Sequence, residues 1–414
     1  MKDEILAYLS NPRQLEKLYR DDKGHFKREF SRLYPTIKGN TIADAWNERL
    51  NFEGDEIKWG ANGELIFVII VSVLAGLIAK LPDIFAIDDE FFYTRNAGFI
   101  VFPALCAYFG WKNRLRGAKV AIIVGTIVLG LIFINSLPVA AYSDTIMLSC
   151  IHLLLFLWFV LGFSFIDNKG NSVQQRLGYL RYNGDLIVMT TLIVIAGAIL
   201  TAVTIGLFSL IGFAIEEFYL RYVIIFCLPA APILGTYLVD TNPQLVGKVS
   251  PVIAKIFSPL VLAMLVIYLV AIIISGKDPY NDREFLMVFN ALLVGVMAII
   301  FFSIAETSAT KAKPAGTFVL FLLSVVTIVV NGVALSAIIF RISEWGITPN
   351  RAAVLGGNVL ILINLVLVTT QLFRVVSGKG AINGVGRAIA VFLPIYCLWA
   401  IVVTFLFPFI FGFR

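Results

Sequence analysis

Three polar stretches between apolar segments carry the residue types that could do chemistry. Each places acidic groups before an aromatic residue and an arginine, and an apolar segment follows at once. The residues are Asp88, Asp89, Tyr93 and Arg95 in the first stretch, Glu216, Glu217, Tyr219 and Arg221 in the second, and Glu344, Trp345 and Arg351 in the third. If the stretches converge, their carboxylates would form an outward vestibule that attracts cations, with the arginines as ion-pair partners. The alternative is a belt of aromatic and paired charged residues at the membrane surface, which needs no ligand.

Other polar groups lie inside apolar segments, where burial in lipid costs free energy unless a partner is present. His152 and Asn290 occupy corresponding positions of two segments, and Asn331, Asn358 and Asn364 lie in later ones. A proton relay through His152 is one hypothesis, and hydrogen bonding between neighbouring helices is the other. His152 and Asn290 are therefore candidate binding residues within the membrane.

Prolines interrupt two apolar segments at matching positions, eight residues after the arginine in each case. Pro103 follows Arg95, and Pro229 follows Arg221. A proline removes a backbone donor and can kink a helix, and interrupted spans in corresponding positions are typical of transport sites. A kinked helix without a ligand is the alternative interpretation.

The composition is that of an integral membrane protein. Of the 414 residues, 59% are hydrophobic and 14% are charged, against about 45–50% and about 25% in soluble domains. The net charge of +6 then reflects lysines and arginines on the cytoplasmic side rather than nucleic-acid binding. The four cysteines lie in apolar segments without metal-ligand spacing, so we expect no disulfide, metal or cofactor.

The apolar runs predict about eleven transmembrane helices in an all-α polytopic bundle. Their estimated bounds are 63–81, 97–112, 119–136, 145–166, 185–212, 222–240, 251–275, 285–305, 316–340, 351–373 and 388–412. With the N-terminus inside, eleven lysines and arginines precede the first span and fourteen lie in the other cytoplasmic loops, against eight outside. The positive-inside rule therefore predicts a cytoplasmic N-terminus and an extracytoplasmic C-terminus.

Recurring sequences also predict internal duplication. Asn62-Gly-Glu-Leu-Ile66 matches Asn183-Gly-Asp-Leu-Ile187, and Ala75-Gly76 matches Ala196-Gly197. We therefore divide the chain into a polar helical segment, 1–60, and repeat units 61–183, 184–314 and 315–414, which hold four, four and three spans. Parallel repeats are one way in which transporters are built, although large membrane bundles also grow by duplication.

The polar segment before the first span has the pattern of a small cytoplasmic helical module. Its apolar residues recur at spacings of three and four. Asn11-Pro12 is typical of a helix start, and Thr41 is a second candidate cap, while Gly24 and Pro35 are expected to interrupt the helices. The segment would either recruit a cytoplasmic protein or pack as a bundle at the membrane.

The third polar stretch also carries a family resemblance. Arg341-Ile-Ser-Glu-Trp-Gly-Ile-Thr-Pro-Asn-Arg351 places an aromatic-Gly-Ile-Thr turn between two arginines before a span, and Thr348-Pro349 predicts a capped helix start. It resembles a stretch found in uncharacterised bacterial multi-pass inner-membrane proteins, the domain of unknown function 4153 type. The resemblance implies a bacterial inner membrane and this architecture, and it implies no reaction.

Three functions remain open. A transporter or permease for a small solute, ion or lipid would show a polar cavity that reaches the middle of the membrane. A membrane scaffold or signalling subunit would have a dry bundle and would recruit a cytoplasmic partner through residues 1–60. An enzyme that resembles a lipid-linked glycosyltransferase would show a groove open to lipid beside Asp88 and Asp89. The lipid bilayer is the expected surrounding in all three, and nucleic acid is not an expected partner.

Overall fold

The structure is a computed structural model, and it describes residues 2–51, 62–138, 143–166, 172–210, 214–243, 258–263, 265–267, 269–270, 274, 283–307 and 314–413. Within these ranges every regular element is a helix and no strand is present. The chain divides into two compact units, Met1–Lys58 and Trp59–Arg414.

Short helices form the first unit. They are α1 (Lys2–Ala7), α2 (Pro12–Asp21), α3 (Lys23–Ile37) and α4 (Thr41–Asn51). The predicted start of α2 is confirmed, because the Asn11 side chain accepts a hydrogen bond from the backbone N–H of Gln14 at 3.3 Å and Pro12 takes the first helical position. A local signal of this kind can be read from sequence because donor and acceptor are three residues apart.

Two expectations for the first unit are wrong. Asn40, not Thr41, caps α4, since the Asn40 side-chain oxygen accepts from the two backbone N–H groups that follow Thr41, at 3.0 and 3.2 Å. Gly24 and Pro35 do not interrupt α3, which continues through both residues. Propensity is overridden there by tertiary packing, which supplies most helix stability in proteins.

The hydrophobic core of the first unit, which stabilises α3 despite the low helix propensity of Gly24 and Pro35, is mainly aromatic. Phe26 and Phe30 of α3 are fully buried, and the Trp46 ring of α4 lies 5.2 Å from the Phe26 ring. Burying a large apolar side chain contributes about 1.5–3 kcal/mol, so these three side chains together exceed the costs of about 1 kcal/mol for a glycine and about 3 kcal/mol for a proline in a helix. The first unit therefore has a hydrophobic core of its own.

The second unit contains ten helices of 17 or more residues and three short ones among the described residues. They are α5 (Asn62–Ala79), α6 (Leu81–Phe85), α7 (Asp89–Lys112), α8 (Gly117–Ser136), α9 (Asp144–Phe165), α10 (Val173–Leu210), α11 (Glu216–Phe218), α12 (Ile225–Thr241), α13 (Arg283–Thr307), α14 (Pro314–Trp345), α15 (Pro349–Val376), α16 (Ile382–Ile401) and α17 (Phe407–Ile410). Two π-helical segments, Tyr219–Ile224 and Val402–Leu406, join α11 to α12 and α16 to α17. The predicted cap of α15 is confirmed, because the Thr348 hydroxyl accepts from the Arg351 N–H at 3.3 Å.

Seven of the described helices are long and apolar enough to cross a membrane by length and composition. They are Gly117–Ser136, Asp144–Phe165, Val173–Ile205, Glu216–Thr241, Pro314–Trp345, Pro349–Val376 and Ile382–Ile410, and shorter apolar helices are Gly63–Ala79, Ser258–Ile267 and Asn290–Ala305. The chain thus has the helices of a multi-pass membrane protein. The total of eleven spans, the repeats and the direction of insertion stay predictions, and most of the predicted span 251–275 lies outside the described residues.

Two hydrophobic cores lie on either side of α10. Tyr179 and Tyr182 pack into the core formed with α5, α7, α8, α9 and α12. Leu177 and Leu180, on the other face of the same turns, pack into the core formed with α13, α14, α15 and α16. Residues three apart share a helix face, so the beginning of α10 joins the two halves of the unit.

Prolines in the last long helix leave carbonyl groups that other helices satisfy. Pro394 has no N–H for the carbonyl of Ala390, four residues earlier, and the Arg176 guanidinium donates to that oxygen at 2.7 Å. The carbonyl of Thr404, in the π-helical segment just before Pro408, accepts from the Ser149 hydroxyl at 2.9 Å. Backbone groups freed by proline within a membrane need such partners, and α9 and α10 supply them.

Candidate functional site

Arg95 holds the end of a neighbouring helix. The residue lies in α7 and is 6% exposed. Its guanidinium donates to the carbonyl oxygens of Ile134 and Leu137, both at 2.8 Å, and of Pro138 at 2.9 Å. These carbonyls lie at the end of α8, where the last turn lacks intrahelical partners, and a cation there also interacts favourably with the helix dipole. The described hydrogen bonds of Arg95 are therefore those of a helix cap.

The first two polar stretches lie at the same end of the second unit. The Tyr93 hydroxyl donates to the carbonyl of Ala79, the last residue of α5, at 2.8 Å. The adjacent Lys80 donates through Nζ to the backbone carbonyl of Arg221, also at 2.8 Å. We name this end, where α5 finishes, the upper end, and the end where α5 begins the lower end.

The two stretches nevertheless differ in local structure. Arg95 belongs to a regular α-helix, whereas Tyr219 and Arg221 lie in a π-helical segment. The Arg221 side chain is 62% exposed, and its ion pair with Glu217 spans 3.6 Å. An exposed pair of this kind contributes about 0.2–1 kcal/mol. Their descent from one repeated unit stays a prediction.

The third stretch repeats the capping chemistry of the first. Arg351 donates to the carbonyl oxygens of Trp345 at 3.0 Å and of Gly346 at 2.7 Å, where α14 ends. Its guanidinium also lies 5.7 Å from the centroid of the half-exposed Trp345 ring, within the range of a cation–π interaction. Arg95 and Arg351 therefore both stabilise the carboxyl ends of helices.

The acidic residues of the three stretches lie at the surface. Asp88 caps α7 by accepting a hydrogen bond from the Phe91 N–H at 2.8 Å. Asp89, Glu216 and Glu344 are exposed. Asp88 and Asp89 also stand at the positive end of the α7 dipole, which favours a carboxylate without any ligand. Binding of a cation or another substrate at these residues stays a prediction.

His152 and Asn290, which correspond in the sequence, have different partners. His152 Nδ1 lies 2.9 Å from the carbonyl of Leu148, one turn earlier in α9. Asn290 Oδ1 accepts from Asn358 Nδ2 at 2.7 Å. The helices α7 and α12 continue through the predicted marker residues Pro103 and Pro229. A proton relay at His152 and a transport site marked by these prolines stay predictions.

A chain of asparagines crosses three apolar helices. Asn358 of α15 donates its amide to Asn290 of α13, and Asn331 of α14 donates to the backbone carbonyl of Asn358 at 3.2 Å. Asn331 is fully buried and Asn358 is 4% exposed. We name Asn290, Asn331 and Asn358 the asparagine cluster. Asn364 lies six residues further along α15, or about 9 Å along the helix axis.

Several polar atoms on these helices have no hydrogen-bond partner among the described residues. They are Oδ1 of Asn331, both Oδ1 and Nδ2 of Asn364, and the hydroxyl of Tyr396. Asn364 is fully buried, and the Tyr396 hydroxyl of α16 lies near it. Each buried polar atom without a partner costs about 1–3 kcal/mol. The interior of α14, α15 and α16 therefore presents both donors and acceptors that a polar molecule could satisfy.

A second polar site joins three helices at the lower end. Lys112 forms ion pairs with Glu64, at 2.9 Å, and with Asp240, and the Tyr108 hydroxyl lies 2.7 Å from an oxygen of each carboxylate. Glu64 begins α5, Tyr108 and Lys112 end α7, and Asp240 ends α12. Glu64 and Tyr108 are buried, at 8% and 1% exposure. We name these four residues the acidic network.

The acidic network contains more acceptors and more negative charge than its donors and its cation balance. A phenol has a single hydrogen, so Tyr108 can donate to only one of the two carboxylates at a time. One lysine also balances only one carboxylate charge, which leaves a net charge of −1 within the network.

The sequence contained a signal for the acidic network that motif reasoning missed. Tyr108 is 44 residues from Glu64 and 132 residues from Asp240, so no local pattern unites them. Glu64 and Asp240 are, however, carboxylates at the ends of the predicted spans 63–81 and 222–240, and an ionisable group within a predicted span is a functional candidate by default.

Comparison with known proteins identifies no relative of this chain. No protein-family model, curated protein or solved structure matches the chain. Within the described part of the chain, no three His, Cys, Asp or Glu side chains are grouped so that they could hold a metal ion. The asparagine cluster and the acidic network are therefore the candidate functional sites.

Proposed function

We propose that this protein is a membrane transporter for a small polar solute, and that the asparagine cluster and Asn364 bind the solute. The observation that supports the proposal is the set of buried amide and hydroxyl atoms on α14, α15 and α16 that have no hydrogen-bond partner among the described residues. Polar groups inside membrane helices typically mark substrate pathways. A solute with hydroxyl, amide or carboxylate groups would offer the missing donors and acceptors.

The acidic network adds to the proposal a contact between helices that a conformational change could break. Its ion pairs connect α5, α7 and α12 at the lower end. Separation of Lys112 from Asp240 would free α12 to move relative to α5. A contact that is formed in one conformation and broken in the other would let a bound solute shift the population between the two.

Solute entry into vesicles that contain the purified full chain tests the proposal. Light scattering would follow vesicle swelling with glycerol, urea, alanine or glucose outside, with and without an inward proton gradient. We expect at least one probe to enter faster than into protein-free vesicles, and Asn364→Leu to abolish the difference. Entry at the protein-free rate for all four probes under both conditions would contradict transport of small polar solutes.

Asn364→Leu should abolish solute entry but stabilise the protein, so misfolding would not explain the loss of entry. Asn364→Leu removes two buried polar atoms that have no hydrogen-bond partner among the described residues, so it should raise the free energy of unfolding by about 1–3 kcal/mol. Thr370→Val is a matched control on the same helix, since Thr370 is exposed and bonds only its own helix through the Val366 carbonyl. The control should leave solute entry unchanged, and loss of entry in both variants would contradict a role for Asn364.

Recruitment of a cytoplasmic protein by the first unit is a second candidate function. Its own core, which includes Phe26, Phe30 and Trp46, is what a docking module requires. It also exposes Leu6 (44%) and Tyr8 (39%) at its surface. If the first unit serves only recruitment, deleting residues 1–58 should leave solute entry into vesicles unchanged. Loss of entry would show that the first unit is needed for transport.

For location, we propose a bacterial inner membrane with the lower end on the cytoplasmic side. The distribution of lysine and arginine over the predicted loops supports this direction, and the resemblance to the 4153-type membrane proteins supports the compartment. Alkaline phosphatase fused after Arg414 should then be active in cells, because the enzyme folds outside the cytoplasm. An inactive but well-expressed fusion would reverse the assigned direction.

A further inference from the structure

A cavity of about 360 Å³ opens where α9, α10 and α16 meet. Its volume lies within the range of about 300–1,000 Å³ that small-molecule sites occupy. It belongs to the lower part of the bundle, since the Asn113 side chain, next to Lys112, donates to the Phe165 carbonyl at the end of α9. Neither the asparagine cluster nor the acidic network lines it.

The walls of the cavity favour hydrocarbon over a polar molecule. The polar atoms of its aromatic side chains are already satisfied, because Trp158 Nε1 donates to Asn183 at 2.8 Å and the Tyr179 hydroxyl donates to the Trp158 carbonyl at 2.6 Å. The remaining lining is mainly aliphatic and aromatic. An occupant would therefore gain free energy by removing apolar surface from water rather than by hydrogen bonding.

The cavity also reaches the outer surface of the helix bundle. Phe163 and Leu398 line it, and they are 40% and 61% exposed. In a protein surrounded by lipid, such an opening between α9 and α16 admits acyl chains directly from the bilayer. An acyl chain would therefore enter the cavity laterally, parallel to the plane of the membrane.

Two cations stand at the cavity. Arg176 forms part of its lining. Lys119 Nζ lies 4.6 Å from the Phe163 ring and donates to the Ile166 carbonyl, and both of those residues also line the cavity. Positive charge beside an apolar opening complements the negative headgroup of an anionic phospholipid.

We propose that this cavity binds an anionic phospholipid, with one acyl chain between α9 and α16 and the phosphate at Arg176 and Lys119. The site is separate from the proposed solute pathway, and its occupation does not depend on transport. A cation near a membrane surface contributes affinity for an anionic lipid that corresponds to about fivefold, so the two together favour anionic over zwitterionic lipid.

Native mass spectrometry of the full chain in detergent tests the proposal. The probes are phosphatidylglycerol and phosphatidylcholine with the same acyl chains. We expect the first bound phosphatidylglycerol to be favoured over phosphatidylcholine by at least about fivefold. Lys119→Gln and Arg176→Gln should each reduce that preference about fivefold. Because the readout is a ratio of two lipids, a general loss of stability would not reproduce it, and an unchanged ratio in both variants would overturn the assignment of the phosphate.

Filling the cavity is the second arm of the experiment. Cys397 lines the cavity from α16, whereas Cys227 is exposed on α12 and lies elsewhere. Cys397→Trp should reduce the first binding of phosphatidylglycerol at least fivefold, and Cys227→Trp should leave it unchanged. Equal binding of the lipid to both variants, or equal affinity of the wild-type protein for both lipids, would overturn the proposal.

Discussion

Arg95 and Arg221 have matching positions in the sequence, and the structure predicts very different consequences when each is replaced by methionine. Methionine keeps a long, flexible side chain and removes the donors. Arg95→Met removes three hydrogen bonds to carbonyl oxygens at the end of α8. Arg221→Met removes one exposed ion pair of 3.6 Å.

The expected magnitude follows from the burial of the acceptors. Ile134 and Leu137 are buried, at 0% and 6% exposure, whereas Pro138 is exposed, so its carbonyl can find another partner. A hydrogen bond to a charged group contributes about 1.5–3 kcal/mol. Two such bonds make Arg95→Met destabilising by roughly 3–6 kcal/mol, while an exposed pair limits Arg221→Met to about 1 kcal/mol.

Equilibrium unfolding in detergent micelles, followed by tryptophan fluorescence, would measure both free energies. Arg95→Lys is a useful third variant, because an ammonium lacks the planar fork of the guanidinium and should recover only part of the loss. Equal effects of Arg95→Met and Arg221→Met, or an effect of Arg95→Met below about 1 kcal/mol, would refute the assignment of Arg95 as a helix cap.

Further substitutions test other contacts described above. Gly76→Ala would place a Cβ 2.2 Å from the Phe226 ring and should destabilise the protein by about 1–3 kcal/mol. Gly197→Ala places its Cβ in open space and should change the free energy of unfolding by less than about 1 kcal/mol. Similar changes for Gly76→Ala and Gly197→Ala would contradict the close approach of α5 and α12. Tyr108→Phe should cost about 1–3 kcal/mol in the same assay, and an unchanged free energy would show that the acidic network is not formed. In the first unit, Arg49 and then Arg20 hold the pKa of the Glu16 carboxyl below its usual range. That contribution is present above the unfolded pKa of about 4.3 and is lost as pH falls through the lower folded pKa. Thermal melts of residues 1–58 at pH 7 and pH 3 should therefore differ less for Glu16→Gln than for the wild type, and identical differences would contradict the ion pair.

Local signals in the sequence predicted helix positions well. The apolar runs 119–136 and 145–166 correspond closely to α8 (Gly117–Ser136) and α9 (Asp144–Phe165). The run 185–212, however, belongs to a helix that begins at Val173. Its early turns carry polar residues and tyrosines that are buried between the two cores, so hydropathy alone could not reveal them.

Long-range contacts explain what the sequence could not show about the candidate sites. Arg95 follows an acidic pair, which suggested a carboxylate partner, but its described acceptors lie 39 to 43 residues away in the chain. The acidic network likewise combines helices that a motif search treats separately. The asparagines were visible as polar residues in apolar runs, yet only the fold distinguishes Asn358, which has side-chain partners, from Asn364, whose amide has none among the described residues.

The carbonyls of Ala390 and Thr404 have a consequence for biogenesis. The ribosome makes Arg176 and Ser149, which donate to those oxygens, long before it makes the segment that contains Pro394 and Pro408. On leaving the translocon alone, that segment would carry the Ala390 oxygen into hydrocarbon without a partner, at a cost of several kcal/mol. Its stable integration therefore waits for helices synthesised earlier, which makes the order of synthesis part of how the bundle is completed.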